Sequence, residues 1–131
     1  MKKEKTISIQ HIFRGKLIQL DVVKVKTATE KIAFREMVRH PGAVAILAKT
    51  PANRFVFVRQ YRKPAEMILM EIVAGTLKKG EKPELCARRE LKEETGYSAR
   101  SLKKMGTVFL APGYSTEKLH VFFAETGNKG E

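Results

Sequence analysis

The chain has 131 residues, of which 43% are hydrophobic, and it carries a formal net charge of +12. This hydrophobic fraction is ample for one packed core and argues against a disordered chain. The single cysteine, Cys86, excludes an internal disulfide and fits a reducing compartment, and no window approaches the run of about 18 apolar residues that a membrane span needs. We therefore expect a single cytoplasmic domain over residues 1–131, without a membrane partner.

The positive charge is distributed along the whole sequence. The 26 lysines and arginines occur in every segment, and the densest cluster, KKEK at the start, is four residues long. No arginine-rich tract, zinc-knuckle spacing or RNP-like aromatic pattern accompanies them. Dispersed surface lysine is therefore the main interpretation, and a nucleic-acid-binding module is the runner-up.

Residues 1–40 are expected to form an N-terminal β segment. KLIQLDVVKVKT, Lys16–Thr27, alternates apolar and polar residues and is rich in β-branched types. Ile32–Arg39 can pair back with it across TATEK, which predicts a β-hairpin or small sheet. His40, Pro41 and Gly42 then break the chain.

Residues 41–131 are expected to form the core. AVAILAK predicts a buried strand, and FVFVRQYR and MILMEIVA predict two further extended runs. A helix is predicted from Pro83 to Thr95, with Leu85, Ala87 and Leu91 as its packing residues and Gly96 at its end. LKKMGTVFLA and LHVFFAE predict two more strands around the loop PGYSTE. Strands on both sides of one central helix predict a mixed α/β domain.

Three glutamates of the predicted helix, Glu90, Glu93 and Glu94, fall within an arc of roughly 100° because each residue turns the helix by about 100°. Glu90 and Glu94 form an i,i+4 like-charge pair that costs an isolated helix a few tenths of a kcal/mol, so we expect a cation between them. A hard divalent cation such as Mg²⁺ or Mn²⁺ takes oxygen ligands and leaves positions for water and phosphates. A solvated surface helix is the alternative interpretation.

Nine residues match the pattern G-x5-E-x7-R-E-U-x-E-E-x-G-U, where U is a bulky apolar residue: Gly75, Glu81, Arg89, Glu90, Leu91, Glu93, Glu94, Gly96 and Tyr97. This is the Nudix box, and the chain resembles the Nudix hydrolase superfamily. The resemblance implies a Nudix fold, an α/β/α sandwich with a mixed β-sheet, in which the box glutamates bind divalent metals, Mg²⁺ or Mn²⁺, that activate water and bridge a diphosphate. No organic cofactor is implied.

The resemblance also implies roles for the residues of the box. Glu90 and Glu94 match the principal metal ligands, and Glu93 matches the remaining metal-binding or base position. Glu81 matches the supporting acidic position, and Arg89 the arginine that orients the carboxylates. The main-chain carbonyl of Ala74 is a further expected ligand, which Gly75 would present by allowing a tight turn.

Sequence outside the box is similar to the ADP-ribose and ADP-sugar pyrophosphatase branch, in the segments FREMVRHPGAVAIL, FVFVRQYR, EIVAGTLKKGE and LAPGYSTEKLHVF. In that branch a proline lies fifteen residues beyond the box, as Pro112 does here. The resemblance makes Arg62, Arg35 and Pro112 the candidate substrate-binding residues. It also makes Glu117 or Glu93 the general base that deprotonates the attacking water.

The leading hypothesis is a Mg²⁺-dependent pyrophosphatase that converts ADP-ribose and water to AMP and ribose 5-phosphate. The alternatives are hydrolysis of GDP-mannose, another nucleotide sugar or NADH, and a nucleic-acid-binding Nudix-like module. The resemblance implies a homodimer, to which residues 1–40 are expected to contribute. Members of the branch continue beyond LHVFFAET through another strand and a helix, so residues 41–131 are expected to be a short or truncated catalytic core.

Overall fold

The computed structural model describes residues 3–130, so Met1, Lys2 and Glu131, the ends of the expected domain, lie outside the described residues. Within this range the chain forms one α-helix, one short 3₁₀ helix (Lys63–Ala65) and ten strands. The helix is α1 (Pro83–Thr95), and the strands are β1 (Lys5–Arg14), β2 (Gln19–Lys26), β3 (Ile32–Arg39), β4 (Ala43–Lys49), β5 (Phe55–Val56), β6 (Val58–Arg62), β7 (Met67–Glu71), β8 (Val73–Thr76), β9 (Ala99–Phe109) and β10 (Lys118–Thr126). No helix in residues 3–130 is both long enough and apolar enough to cross a bilayer.

The chain divides into two compact units. The first comprises the residues up to Pro41 together with Phe109–Lys118, and the second comprises Gly42–Val108 together with the residues from Leu119 onward. The first unit contains an antiparallel sheet in the order β1-β2-β3. The predicted pairing across TATEK is confirmed, because β2 and β3 pair along their whole length. The sequence did not predict β1, whose ten residues are all exposed and therefore show no pattern of burial.

A buried carboxylate joins the three strands of the first unit. Asp21 on β2 is 2% exposed. Its Oδ2 accepts a 2.8 Å hydrogen bond from Nε of Arg39 on β3, and its Oδ1 lies 2.7 Å from Nδ1 of His11 on β1. The bond from Arg39, followed by the contact with His11, holds the pKa of Asp21 below its ordinary value.

The second unit contains a mixed five-stranded sheet with β4 at its centre. β10 pairs with β4 in parallel, β5 and β8 pair with β4 antiparallel, and β9 is the neighbour of β10. The predicted buried strand AVAILAK is confirmed as β4, of which five of seven residues are buried. Side chains on both faces of β4 are buried, and those of Val44, Ile46 and Ala48 pack in one cluster with residues of the helix, which explains why its sequence is almost wholly apolar.

Two predicted extended runs are each divided in the structure. FVFVRQYR forms β5 and β6, and MILMEIVA forms β7 and the first half of β8. β5 and β8 pair with β4, whereas β6 and β7 pair with each other through the 3₁₀ helix at Lys63–Ala65. The prediction of one continuous strand for each run was wrong, because the two halves of each run have different pairing partners.

The predicted helix is confirmed as α1. Pro83 occupies its first turn, and Gly96 ends it with a positive φ of 75° while its N–H donates to Lys92 O at 2.9 Å. Cys86, Ala87 and Leu91 are completely buried, and they pack into one cluster with Val44, Ile46, Ala48, Val73, Phe122 and Ala124. The prediction that Leu85 packs was wrong, because Leu85 is 60% exposed and Cys86 takes the inward position.

Candidate functional site

Arg89 on α1 connects three glutamates of the Nudix box. Its Nε and Nη2 donate to Oε1 and Oε2 of Glu81, both at 2.9 Å. Its Nη1 donates to Glu90 Oε1 at 2.6 Å and to Glu93 Oε2 at 3.2 Å. These bonds to Arg89, and then a bond from the N–H of Lys78, lower the pKa of Glu81 to about 2. Glu81 is therefore ionised at neutral pH and holds the guanidinium that in turn holds Glu90.

The side chain of Glu90 lies directly on Gly75 in β8. A methyl group added at Gly75 would overlap Cγ, Cδ and Oε1 of Glu90. The side chain of Glu90 is only 14% exposed, so it is confined between this strand and Arg89. The expected tight turn at Gly75 was wrong, because Gly75 is a strand residue opposite Val44 and is not among the glycines with positive φ. Glycine is needed here because it leaves room for a carboxylate.

Glu94 shares this site with Glu90. Burial raises the pKa of Glu94, and the negative charge of Glu90 raises it further. A hydrogen bond from the N–H of Ala74 and the positive charge of Arg62 act in the opposite direction. Two carboxylates therefore lie close enough to repel each other beside the main chain of β8, where a bound cation would stabilise both.

Arg62 at the end of β6 is held by Glu71 on β7. Its Nε donates to Oε1 at 2.9 Å and its Nη2 donates to Oε2 at 2.5 Å. This pair lowers the pKa of Glu71 and raises that of Arg62. Glu71 was not predicted as a site residue, although a single charged residue in the apolar run MILMEIVA is a detectable signal.

The described residues contain no group of three or more His, Cys, Asp and Glu side chains placed to hold a metal ion. The helix brings Glu90 and Glu94 together, but Glu93 is bonded to Arg89 and its side chain is 57% exposed. The available donors are hard oxygens, and the space over Gly75 is filled by one of them. The two carboxylates and the adjacent main chain at Ala74 thus fit a hard divalent cation in donor chemistry.

The other candidates belong to the first unit. Glu117 lies after the loop, with Oε1 3.9 Å from Nδ1 of His40. Pro112 lies exposed in a turn of the same loop. Arg35 on β3 donates through Nη2 to Oε1 of Glu4 at 2.5 Å.

The chain is similar to several known proteins. A family model described as NUDIX domain matches residues 38–131. The ADP-ribose pyrophosphatase of Bacillus subtilis (strain 168) is 50% identical over 123 residues, which cover 94% of this chain and 66% of the relative. The methanol dehydrogenase activator of Bacillus methanolicus is 43% identical over 129 residues, which cover 98% of this chain and 70% of the relative.

A solved structure of an ADP compounds hydrolase superimposes with a TM-score of 0.82 at 22% identity, covering 95% of this chain and 68% of that one. The expected Nudix fold with a mixed sheet is therefore confirmed. Within residues 3–130, α1 is the one α-helix of this fold. This chain spans 66% of the length of the Bacillus subtilis relative. From the nine residues of the box, the fold and the match over residues 38–131, we conclude that the chain belongs to the Nudix family.

Proposed function

We propose that the protein is a Mg²⁺-dependent pyrophosphatase that hydrolyses ADP-ribose to AMP and ribose 5-phosphate, with Mn²⁺ as a possible substitute. The observation that carries this proposal is the Glu90–Glu94 pair, packed beside Ala74 and Gly75 and held by Arg89. The substrate is supported by the ADP-ribose pyrophosphatase that is 50% identical to this chain.

We propose Glu90, Glu94 and the main-chain carbonyl of Ala74 as the metal ligands, with Glu93 as the further ligand or an alternative base. When bound, the metal polarises phosphoryl oxygens and lowers the pKa of water. Arg89 keeps the carboxylate of Glu90 on Gly75, and its own orientation depends on the double bond to Glu81.

Arg62 is the proposed phosphate-binding residue. Its bonds to Glu71 use Nε and Nη2, which fixes the plane of the guanidinium and directs Nη1 towards a second acceptor such as a phosphate oxygen. Pro112 is proposed to contact the substrate through its loop. Arg35 is the weaker proposal, because its guanidinium would have to leave Glu4 to bind a phosphate.

In the proposed reaction, the oxygen of a water molecule forms a bond to one phosphorus of the diphosphate. The bond from that phosphorus to the bridging oxygen breaks, and the bridging oxygen keeps the electron pair and leaves on the other phosphate. Glu117 is the proposed acceptor of the water proton. We favour it over Glu93 because Glu93 is already bonded to Arg89.

We further propose that the protein acts in the cytoplasm as a homodimer. The single, buried cysteine fits a reducing compartment. The exposed apolar residues of the first unit support a protein partner, since Phe13 is 54% and Phe34 62% exposed.

The decisive experiment is product analysis with Mg²⁺ over ADP-ribose, GDP-mannose, other nucleotide sugars and NADH. We expect AMP from ADP-ribose, a loss of kcat of at least about 100-fold in Glu94→Gln, and no change in Glu84→Gln, an exposed residue in the first turn of the same helix. Cleavage of another compound without AMP release from ADP-ribose would refute the substrate but not the enzyme class. Unchanged turnover in Glu94→Gln would refute the metal site. Affinity for RNA that falls steeply with salt would instead favour the nucleic-acid-binding alternative.

A further inference from the structure

The loop that carries Glu117 is fastened to the end of β3. The N–H of Val38 donates to the carbonyl of Tyr114 at 2.8 Å, and the N–H of Thr116 donates to the carbonyl of Val38 at 2.9 Å. The N–H of His40 donates to Oγ1 of Thr116 at 3.0 Å. These three bonds fix the main chain up to the residue before Glu117.

The side chain of His40 lies beside the carboxylate of Glu117, at 3.9 Å from Nδ1 to Oε1. The His40 side chain is 10% exposed, whereas that of Glu117 is 28% exposed. His40 is therefore the more confined partner, and Glu117 lies at the edge of the loop where solvent can reach it. An ionised carboxylate can only accept hydrogen bonds, so this contact is attractive when Nδ1 of His40 carries a proton.

We propose that His40 is a positioning residue for Glu117, which holds its carboxylate in the orientation that accepts a proton from water. This inference rests on the proposed function, in which Glu117 is the general base. A glutamate has three side-chain torsions, and a loop that fixes only the main chain leaves all three free to vary. His40 restricts them from a nearly buried position that its own main-chain bond to Thr116 fixes. Misplacement of a reacting group by about 1 Å can lower a rate about 100-fold.

The geometry predicts which replacements of His40 are tolerated. The side-chain amide nitrogen of asparagine occupies nearly the position of histidine Nδ1, whereas that of glutamine occupies nearly the position of Nε2. His40→Asn therefore keeps a donor facing Glu117, His40→Gln moves it, and His40→Ala removes it. We expect His40→Ala and His40→Gln to lower kcat about 10- to 100-fold with KM within about two-fold, and His40→Asn to recover most of the loss.

The test measures kcat and KM for these variants, Glu117→Gln and the double variant His40→Ala/Glu117→Gln. His120→Ala, on β10, controls for the general effect of removing an imidazole. We expect the double variant to be no slower than Glu117→Gln, because His40 acts only through Glu117. We also expect the loss in His40→Ala to appear in kcat rather than in KM, because a displaced general base slows the reaction without weakening substrate binding. Circular dichroism and urea unfolding identify variants whose fold has changed.

Several outcomes would overturn the inference. The positioning role would be excluded if adding His40→Ala to Glu117→Gln lowered kcat by as much as His40→Ala alone does. It would also be excluded by equal rates for His40→Asn and His40→Gln, or by unchanged kcat in His40→Ala. Normal turnover in Glu117→Gln would also exclude it, while leaving the pyrophosphatase itself standing. The variants are assayed on whichever compound of the panel the wild type cleaves. Failure of the proposed substrate is therefore detected independently of the role of His40, as absence of AMP from ADP-ribose. Absence of turnover on the whole panel would overturn both proposals.

Discussion

Replacing Gly75 with alanine tests the contact on which the proposed metal site depends. The added methyl group would overlap the carboxylate of Glu90, and the main chain of β8 cannot move away without disturbing its pairing with β4. Glu90 is a flexible side chain, so we expect it to rotate off the strand. Rotation would break its 2.6 Å bond with Arg89 and separate it from Glu94 and Ala74.

The magnitude follows from opposing effects. Loss of a hydrogen bond between charged groups destabilises a protein by about 1.5–3 kcal/mol. A strained rotamer adds about 0.5–1.5 kcal/mol. Replacing glycine with alanine in a strand returns about 0.5–1 kcal/mol through the entropy of the unfolded chain. We therefore expect Gly75→Ala to lower the free energy of unfolding by about 1–4 kcal/mol. We also expect it to lower kcat by at least about 100-fold, because the displaced group is a proposed metal ligand.

The assay is urea unfolding with and without Mn²⁺, combined with turnover of the wild-type substrate. Gly106→Ala on β9 is the matched control, since its added methyl group meets no atom within 4 Å and we expect no loss of stability or activity. Mn²⁺ should stabilise the wild type and the control but not Gly75→Ala. If Gly75→Ala matches Gly106→Ala in unfolding, turnover and response to Mn²⁺, then the room over Gly75 is not what places Glu90.

Two further predictions concern stability. Leu91→Ala should lower the free energy of unfolding by about 3–5 kcal/mol because Leu91 is completely buried. Leu85→Ala should change it by less than about 1 kcal/mol because Leu85 is 60% exposed. Equal losses of stability in urea unfolding would contradict this packing. The pKa of Asp21 is lowered in the folded state, so its contribution is present above the ordinary carboxyl pKa and is lost as the pH falls through the lower folded value. Asp21→Asn should therefore be less stable at pH 7 and lose less stability below about pH 4, and parallel acid-unfolding curves for the two proteins would refute this.

The helix and the carboxylate pair were predictable because their determinants are local. Pro83 and Gly96 set the ends of α1 through restrictions on their own backbone. The helical repeat alone places Glu90 and Glu94 on one face. Leu85 was misassigned because a helix in which apolar residues are few allows more than one choice of inner face, and the choice is made by what packs against it.

The strand boundaries were not predictable in the same way. FVFVRQYR has β propensity along its whole length. Its residues therefore do not indicate that β5 pairs with β4 while β6 pairs with β7. The same holds for the contact between His40 and Glu117, which lie 77 positions apart in the sequence. The contact of Glu71 was partly predictable. A charge inside an apolar run indicates that the residue has a partner, but it does not identify that partner as Arg62.

The spacing of the Nudix box can be understood as a set of contacts among its own residues. Gly75 and Glu90 are fifteen residues apart because a strand residue must lie under a helical carboxylate. The spacing between Glu81 and Arg89 is fixed because the chain before α1 must bring the carboxylate of Glu81 to the guanidinium of Arg89. Arg89 reaches Glu93 one helical turn later. An insertion between β8 and α1 would therefore shift Glu81 relative to Arg89 or Gly75 relative to Glu90, even if every residue of the pattern were retained. Arg89 and Gly75 together place Glu90. The repulsion with Glu94 that results is the electrostatic reason to expect a cation there.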